Sequence, residues 1–170
     1  MAFLVRSINR AKWNKNNKPT LNEVAADAIT NCMETRLNTL SVWEINDMDE
    51  LEDAVVAIAS NSDSAEKMHF IWIEEKTLHD NGILLEQKDG ITGLANFSQR
   101  HFDMEKLDYG KLGILATHTI NAIFGNGEYY KFFLRSEITR LFAKYYDDGK
   151  LNVEQCNNSA IKKIIAKRQN

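Results

Sequence analysis

The chain has 170 residues, of which 44% are hydrophobic and 26% are charged, and its formal net charge is −3. This composition is typical of a globular protein with a sizeable core and excludes low-complexity and collagen-like chains. The longest apolar runs, such as 54–59, fall far short of the roughly 20 residues that a membrane-spanning helix needs, and no secretory signal is evident, so we expect a cytoplasmic protein that contacts no membrane.

The first half of the sequence predicts strands that alternate with helices. Alternating apolar residues and an excess of β-formers predict four strands, at Phe3–Ile8, 39–45, 68–73 and 83–87. Apolar residues at helical spacing predict two helices between these strands. Thr20 and Glu23 form a capping box at the start of the first helix. Asp47 and Glu50 have the same spacing at the start of the second.

The second half of the sequence predicts helices alone, at Tyr109–Phe124, 128–146 and 159–168. The whole pattern indicates an α/β fold, with an α+β arrangement as the alternative. We expect a small sheet of about four strands with crossover helices in the first half, completed by a helical second half. The chain is then a single domain over 1–170, with a β-α-β-α-β-β subregion at 1–90 and a mostly helical subregion at 91–170.

The sequence contains no catalytic or metal-binding motif that we recognise. Its four histidines share no i, i+4 spacing, so we predict no metal site. Cys32 and Cys156 form no CxxC pair and are predicted to be core thiols. No cofactor is predicted, and the lack of a nucleophile motif favours a protein that is not an enzyme.

Charge is distributed unevenly along the chain. Residues 1–20 contain five basic residues and no acidic one, whereas residues 44–105 contain fifteen acidic and four basic residues. Residues 106–170 contain eleven basic and six acidic residues. Such segregation is typical of proteins that bind a charged partner or that pair complementary faces.

The acidic middle block supports our first hypothesis, a non-enzymatic interaction protein that binds a basic protein partner. Most of its carboxylates have no helix-capping role, and a negative surface steers association with cationic partners. The predicted partner-binding residues are Asp49, Glu52, Asp53, Glu74 and Glu75. An immunity or defence-associated protein that neutralises a cationic toxin, such as a nuclease, needs a surface of this kind.

Two alternatives depend on the basic residues. In the first, the chain is an enzyme or sensor that acts on a nucleotide or nucleic acid, because cations and aromatic rings together bind phosphates and bases. The site residues of this alternative are Arg6, Arg10, Lys12, Trp13, Arg100, His101, Arg135 and Arg140. In the second, the chain is a structural subunit whose acidic and basic blocks pair between copies of a homo-oligomer.

Overall fold

A six-stranded antiparallel sheet lies at the centre of the computed structural model, which describes residues 2–13, 17–35, 37–62 and 67–167. The strands within these ranges are β1 (Phe3–Ile8), β2 (Leu40–Ile45), β3 (Met68–Glu74), β4 (Leu84–Gln87), β5 (His101–Glu105) and β6 (Tyr130–Phe133). Their order across the sheet is β4-β5-β2-β1-β3-β6, and each neighbouring pair is antiparallel. Strands β4 and β6 therefore form the two edges.

Helices cover both faces of this sheet. They are α1 (Ala26–Cys32), α2 (Leu51–Ser60), α3 (Glu75–Asp80), α4 (Tyr109–Phe124), α5 (Arg135–Asp147) and α6 (Ser159–Ala166). Short 3-10 turns lie at Arg10–Trp13, Leu21–Glu23, Met48–Glu50 and Ala95–Arg100. Helices α2, α5 and α6 contribute to one hydrophobic core, and α1, α3 and α4 contribute to a second. The fold thus has three layers with the sheet in the middle.

The sheet separates the two cores because successive side chains of a strand point to opposite faces. In β3, Phe70 and Trp72 belong to the core that α2, α5 and α6 cover. Ile71 and Ile73 belong to the other core, and all four side chains are at most 8% exposed. The covering of both faces explains why 70–73 is a continuous apolar run rather than an alternation of apolar and polar residues.

Helix α2 is a crossover connection, as the sequence predicts. Strands β2 and β3 both pair antiparallel with β1, so they run parallel to each other. A parallel pair needs a long connection, and α2 supplies it across one face of the sheet. The first turn of α2 therefore lies at the end of the sheet where β2 finishes.

The predicted sheet of about four strands is too small, and the predicted helix over 128–146 is wrong in its first part. Tyr130–Phe133 forms β6, which pairs with β3 at the edge of the sheet. Helix α5 begins only at Arg135. The N–H of the preceding residue, Leu134, donates to the Glu137 carboxylate at 2.7 Å. Aromatic residues fit a pleated surface well, and pairing with β3 satisfies the backbone groups of this segment.

The second half of the chain also supplies a strand to the interior of the sheet. His101–Glu105 forms β5, which our sequence analysis assigned to no element, and β5 pairs with both β2 and β4. Strands from both halves of the chain consequently share one sheet, so the second half is less helical than predicted.

Two other predicted elements are confirmed with their bounds, and a third is confirmed in part. The strand Phe3–Ile8 and the helix Tyr109–Phe124 have the predicted bounds. The predicted first helix is divided into the turn Leu21–Glu23 and α1, although the capping box at its start is present. The predicted last residue of the final helix, Arg168, lies outside the described residues. Within the described ranges, no helix is both long and apolar enough to cross a bilayer.

Candidate functional site

The register of three strands brings acidic residues to one end of the sheet. Phe3 pairs with both Ile45 and Glu74, so the start of β1 lies level with the ends of β2 and β3. Because α2 follows β2 and α3 follows β3, their first turns lie at the same end. We call this region the acidic end, and its carboxylates are those of Glu44, Asp47, Asp49, Glu50, Glu52, Asp53, Glu74 and Glu75.

Two cations neutralise part of the acidic end. Arg100, the residue before β5, approaches Glu44 at 3.3 Å and Glu50 at 3.8 Å. Lys144 of α5 pairs with Glu52 at 3.0 Å. The pair of Lys144 and Glu52 is the more exposed and adds little to stability, but both cations reduce the local negative charge. The carboxylates still outnumber these cations, so the acidic end keeps a negative field.

Asp49 and Glu75 are the predicted partner-binding residues that are most available to a partner. Both are exposed, and neither pairs with a cation among the residues that the structure describes. The other three carry internal bonds: Glu52 binds Lys144, and the hydroxyls of two tyrosines donate to Asp53 and Glu74. The predicted set therefore lies at one end of the sheet but divides into free and internally bonded carboxylates.

A cleft of about 610 Å³ opens at the acidic end. Its walls come from α2, from the turn at 95–100 and from the segment after α5, with Glu50, Asp53, Leu94, Phe97, Arg100, Tyr145 and Asn152 among the lining residues. Glu50 and Asp53 supply carboxylates, Arg100 and Lys150 supply cations, and the largely buried Leu94 and Phe97 supply apolar atoms. The two carboxylates can accept hydrogen bonds from a cationic group of a ligand.

Tyr145 holds the carboxylate of Asp53 in place at the wall of this cleft. The Tyr145 side chain is 5% exposed, and its hydroxyl donates to Asp53 Oδ1 at 2.7 Å. Burial and the bond to Asp53 raise the pKa of Tyr145 above its usual range. The ammonium groups of Lys144 and Lys150 lie 5.6 Å and 5.7 Å from the centre of the tyrosine ring. Asp53 is therefore oriented by the fold rather than free to rotate.

Glu74 has a similar tyrosine partner at the end of β3. The hydroxyl of Tyr129 donates to Glu74 Oε1 at 2.8 Å. This hydrogen bond, assisted by burial and by the negative charge of Glu74, raises the pKa of Tyr129 to about 12. The same carboxylate lies near His118, whose pKa is lowered chiefly by burial. Glu74 thus has a structural contact as well as a place at the acidic end.

We expect the bond between Tyr129 and Glu74 to make stability fall at alkaline pH. The folded-state pKa of Tyr129, about 12, lies above the ordinary tyrosine value of about 10. The contact therefore stabilises the fold fully below the ordinary pKa, and this stabilisation is lost as the pH rises through the folded-state value. Glu74→Gln should return the pKa of Tyr129 toward the ordinary value, as read by NMR titration of labelled tyrosine. The control Glu75→Gln should leave that pKa unchanged, and equal pKa values in the wild type and Glu74→Gln would contradict the assignment.

The first basic segment contributes to the core rather than to one open pocket. The Arg6 guanidinium donates to the carbonyl oxygen of Cys32 at 2.8 Å and 3.1 Å and to that of Ser41 at 2.8 Å. Burial lowers the pKa of Arg6. The Trp13 indole, which is 2% exposed, donates to Cys32 Sγ at 3.1 Å. These contacts tie β1 and the turn after it to α1 and β2.

The remaining residues of the nucleic-acid alternative lie in separate parts of the molecule. Lys12 pairs with Asp27 at 3.5 Å. The His101 ring lies edge-on to a buried tryptophan of β2 at 5.1 Å between ring centroids. Arg135 and Arg140 are exposed on α5. Since Arg100 belongs to the acidic end, the structure does not bring the eight residues of this alternative together.

A cluster that our sequence analysis missed lies at the opposite end of β3. His69 pairs across the sheet with Phe132, and Tyr130 lies two residues before Phe132 on β6. The Lys67 ammonium lies over the Phe132 ring, and the positive charge of Arg10 acts on both His69 and Tyr130. We call this region the cationic end. Sequence reasoning saw His69 as an isolated histidine and placed both β6 residues in a helix, so only the aromatic run at 129–133 carried a signal for it.

Within the described residues, no group of three or more His, Cys, Asp or Glu side chains is arranged to hold a metal ion. The carboxylates of the acidic end can accept hydrogen bonds from a cationic ligand. Among the residues that the structure describes, they form no recognisable metal-binding cluster. Comparisons of the chain with protein-family models, with curated proteins and with solved structures give no match.

Proposed function

We propose that this chain is a non-enzymatic binding protein that holds a basic protein partner at its acidic end. The observation that carries the proposal is the convergence of carboxylates from β2, β3 and the first turns of α2 and α3 at one end of the sheet. An extended negative surface raises the association rate of cationic partners and selects against acidic ones.

The cleft of about 610 Å³ provides an anchor point within this surface. A lysine or arginine of the partner enters it, lays its stem against Leu94 and Phe97, and brings its cationic head to Glu50 and Asp53. The fixed orientation of Asp53, bonded to Tyr145, reduces the ordering that binding requires. Exposed Asp49 and Glu75 then contact cations at the rim of the interface.

A partner class follows from the same chemistry. Nucleases and other nucleic-acid-binding toxins hold phosphates with clusters of lysine and arginine. A protein whose acidic end covers such a cluster competes with the phosphates and blocks the activity. We therefore propose an immunity or defence-associated role in which the chain neutralises a cationic toxin.

The proposal is tested by calorimetric titration with purified cationic nucleases and with any basic protein encoded next to this chain. We expect the double variant Asp49→Lys/Glu75→Lys to weaken binding at least about tenfold, because like charges then face each other. The affinity of the wild type should also fall as the salt concentration rises from about 0.05 to 0.5 M. Unchanged affinity in the double variant would overturn the proposal.

A matched control variant distinguishes an effect of the acidic end from an effect of net charge alone. Glu34 and Asp89 are exposed, and Asp89 borders a hollow that includes Ser7 and Asn61, toward the end of α2 far from its first turn. Glu34→Lys/Asp89→Lys changes the net charge by the same amount as Asp49→Lys/Glu75→Lys and should leave partner affinity within about twofold.

Light scattering at low salt tests the homo-oligomer alternative. An oligomer that Asp49→Lys/Glu75→Lys dissociates would assign the acidic end to a second copy of this chain and would reject the foreign partner.

A further inference from the structure

The cationic end presents three aromatic rings in a row on one face of the sheet. His69 on β3 lies opposite Phe132 on β6, and Ile71 lies opposite Tyr130. The His69 ring centroid is 5.9 Å from that of Tyr130 and 5.9 Å from that of Phe132. The Tyr130 and His69 planes are 17° apart, which is close to parallel. We call these three rings the aromatic row.

The aromatic row is open to solvent although the rest of that face is covered. Ile71 and Ile73, on the same face of β3, are 8% and 4% exposed. Phe132, by contrast, is 44% exposed, and His69 and Tyr130 are half-buried. Phe132 lies on the edge strand of the sheet. A large aromatic ring left exposed beside two others is a surface on which a flat ligand can stack.

Two cations frame the aromatic row. The Lys67 ammonium lies 4.6 Å from the centre of the Phe132 ring. The Arg10 guanidinium lies over the Phe124 ring, 4.9 Å from its centre. Burial raises the pKa of Tyr130, and the positive charge of Arg10 and a hydrogen bond from it oppose this rise. Neither cation pairs with a carboxylate in the described parts of the chain. The positive charge of this surface is therefore available to an anion.

His69 is neutral and is hydrogen-bonded to Tyr130 within the aromatic row. Burial, Lys67 and Arg10 all lower its pKa, so the ring is neutral at pH 7. His69 Nδ1 lies 2.6 Å from the Tyr130 hydroxyl. This hydrogen bond joins β3 to β6 within the aromatic row.

We propose that the aromatic row binds single-stranded nucleic acid, with a base replacing the Lys67 ammonium on the Phe132 ring and the neighbouring phosphates held by Lys67 and Arg10. Exposed rings on a sheet face, flanked by unpaired cations, suit the alternation of flat bases and anionic phosphates along a single strand. The row lies at a sheet edge, and its outermost ring, Phe132, is 44% exposed. A duplex, whose bases are stacked on each other, does not offer a free base to it.

The experiment uses fluorescence anisotropy of the full chain with labelled oligouridine of about eight nucleotides. Phe132→Ala should weaken binding about tenfold, because the stacked base loses its platform. Lys67→Glu should weaken binding. It should also reduce the slope of log affinity against log salt concentration by about one, which corresponds to the loss of one phosphate contact. Tyr109→Ala, which removes a tyrosine that is 94% exposed on α4, is the matched control and should bind as the wild type does.

Further binding measurements distinguish single-stranded nucleic acid from a duplex and from a free nucleotide. A duplex of the same length should bind more weakly than the single strand, and Asp49→Lys/Glu75→Lys should not reduce oligouridine binding. Equal affinity for uridine monophosphate and for oligouridine would assign the row to a free nucleotide and overturn the single-stranded ligand. Absence of binding, or binding that Phe132→Ala leaves unchanged while circular dichroism shows that variant to be folded, would overturn the proposal. None of these outcomes depends on the partner proposed for the acidic end.

Discussion

Phe70→Ala is expected to lower the free energy of unfolding by about 3–5 kcal/mol. Phe70 lies in β3, between β1 and β6, and its side chain is 0% exposed. Its ring meets that of Phe133 edge-on at 5.7 Å between centroids. Truncation removes this contact and leaves a cavity under α2, α5 and α6, because close-packed surroundings relax only in part.

Urea denaturation followed by circular dichroism measures this loss. Phe132→Ala is the matched control, since it removes the same atoms from the adjacent strand at a position that is 44% exposed. We expect the control to lose no more than about 1 kcal/mol, since exposed positions contribute less. Equal losses in the two variants would contradict the assignment of Phe70 to the core and Phe132 to the surface.

Elements with a strong local signal could be predicted from the sequence. Helix Tyr109–Phe124 has an apolar stripe and an aspartate at its N-cap, Asp108, which accepts a hydrogen bond from the Lys111 N–H at 2.9 Å. Strand Phe3–Ile8 is rich in residues that favour strands, such as Phe3, Val5 and Ile8. In both segments local preference and tertiary packing agree.

Strands β5 and β6 could not be predicted in the same way, because their partners decide their conformation. The β6 residues Tyr130–Phe133 are four in number, and four residues are too few for a period of 2.0 to be told from one of 3.6. Their strand conformation depends on pairing with β3, a neighbour some sixty positions earlier in the chain. Propensity is a weak guide where long-range pairing supplies the stabilisation.

The two candidate sites also differ in how far they can be predicted from local sequence. The acidic end could be predicted in part because all eight of its carboxylates lie within 44–53 and 74–75, next to strand ends. The cations Arg100 and Lys144 reach it from distant parts of the chain, which no local pattern indicates. The aromatic row depends entirely on the register between β3 and β6, so no sequence spacing predicts it.

The carboxylates of α2 and of the 3-10 turn before it are expected to fall into two groups, structural and partner-binding, when they are changed one at a time. Asp53 accepts the hydrogen bond of a buried tyrosine, so Asp53→Ala leaves the Tyr145 hydroxyl without its partner. We expect a loss of about 1–3 kcal/mol in the free energy of unfolding. Asp49 is exposed, and Asp49→Ala should change that free energy by no more than about 0.5 kcal/mol.

A double-mutant cycle of Asp53→Ala and Tyr145→Phe tests the structural contact directly. If the two groups stabilise each other, the double variant loses less stability than the sum of the two single variants. Additive losses would show that the bond of 2.7 Å contributes nothing to folding. Asp49→Ala should still weaken partner binding, because an exposed carboxylate at the rim acts through its charge alone. Reversing Asp49, Glu52 and Asp53 together would mix unfolding with lost affinity, whereas the single changes keep the two effects apart.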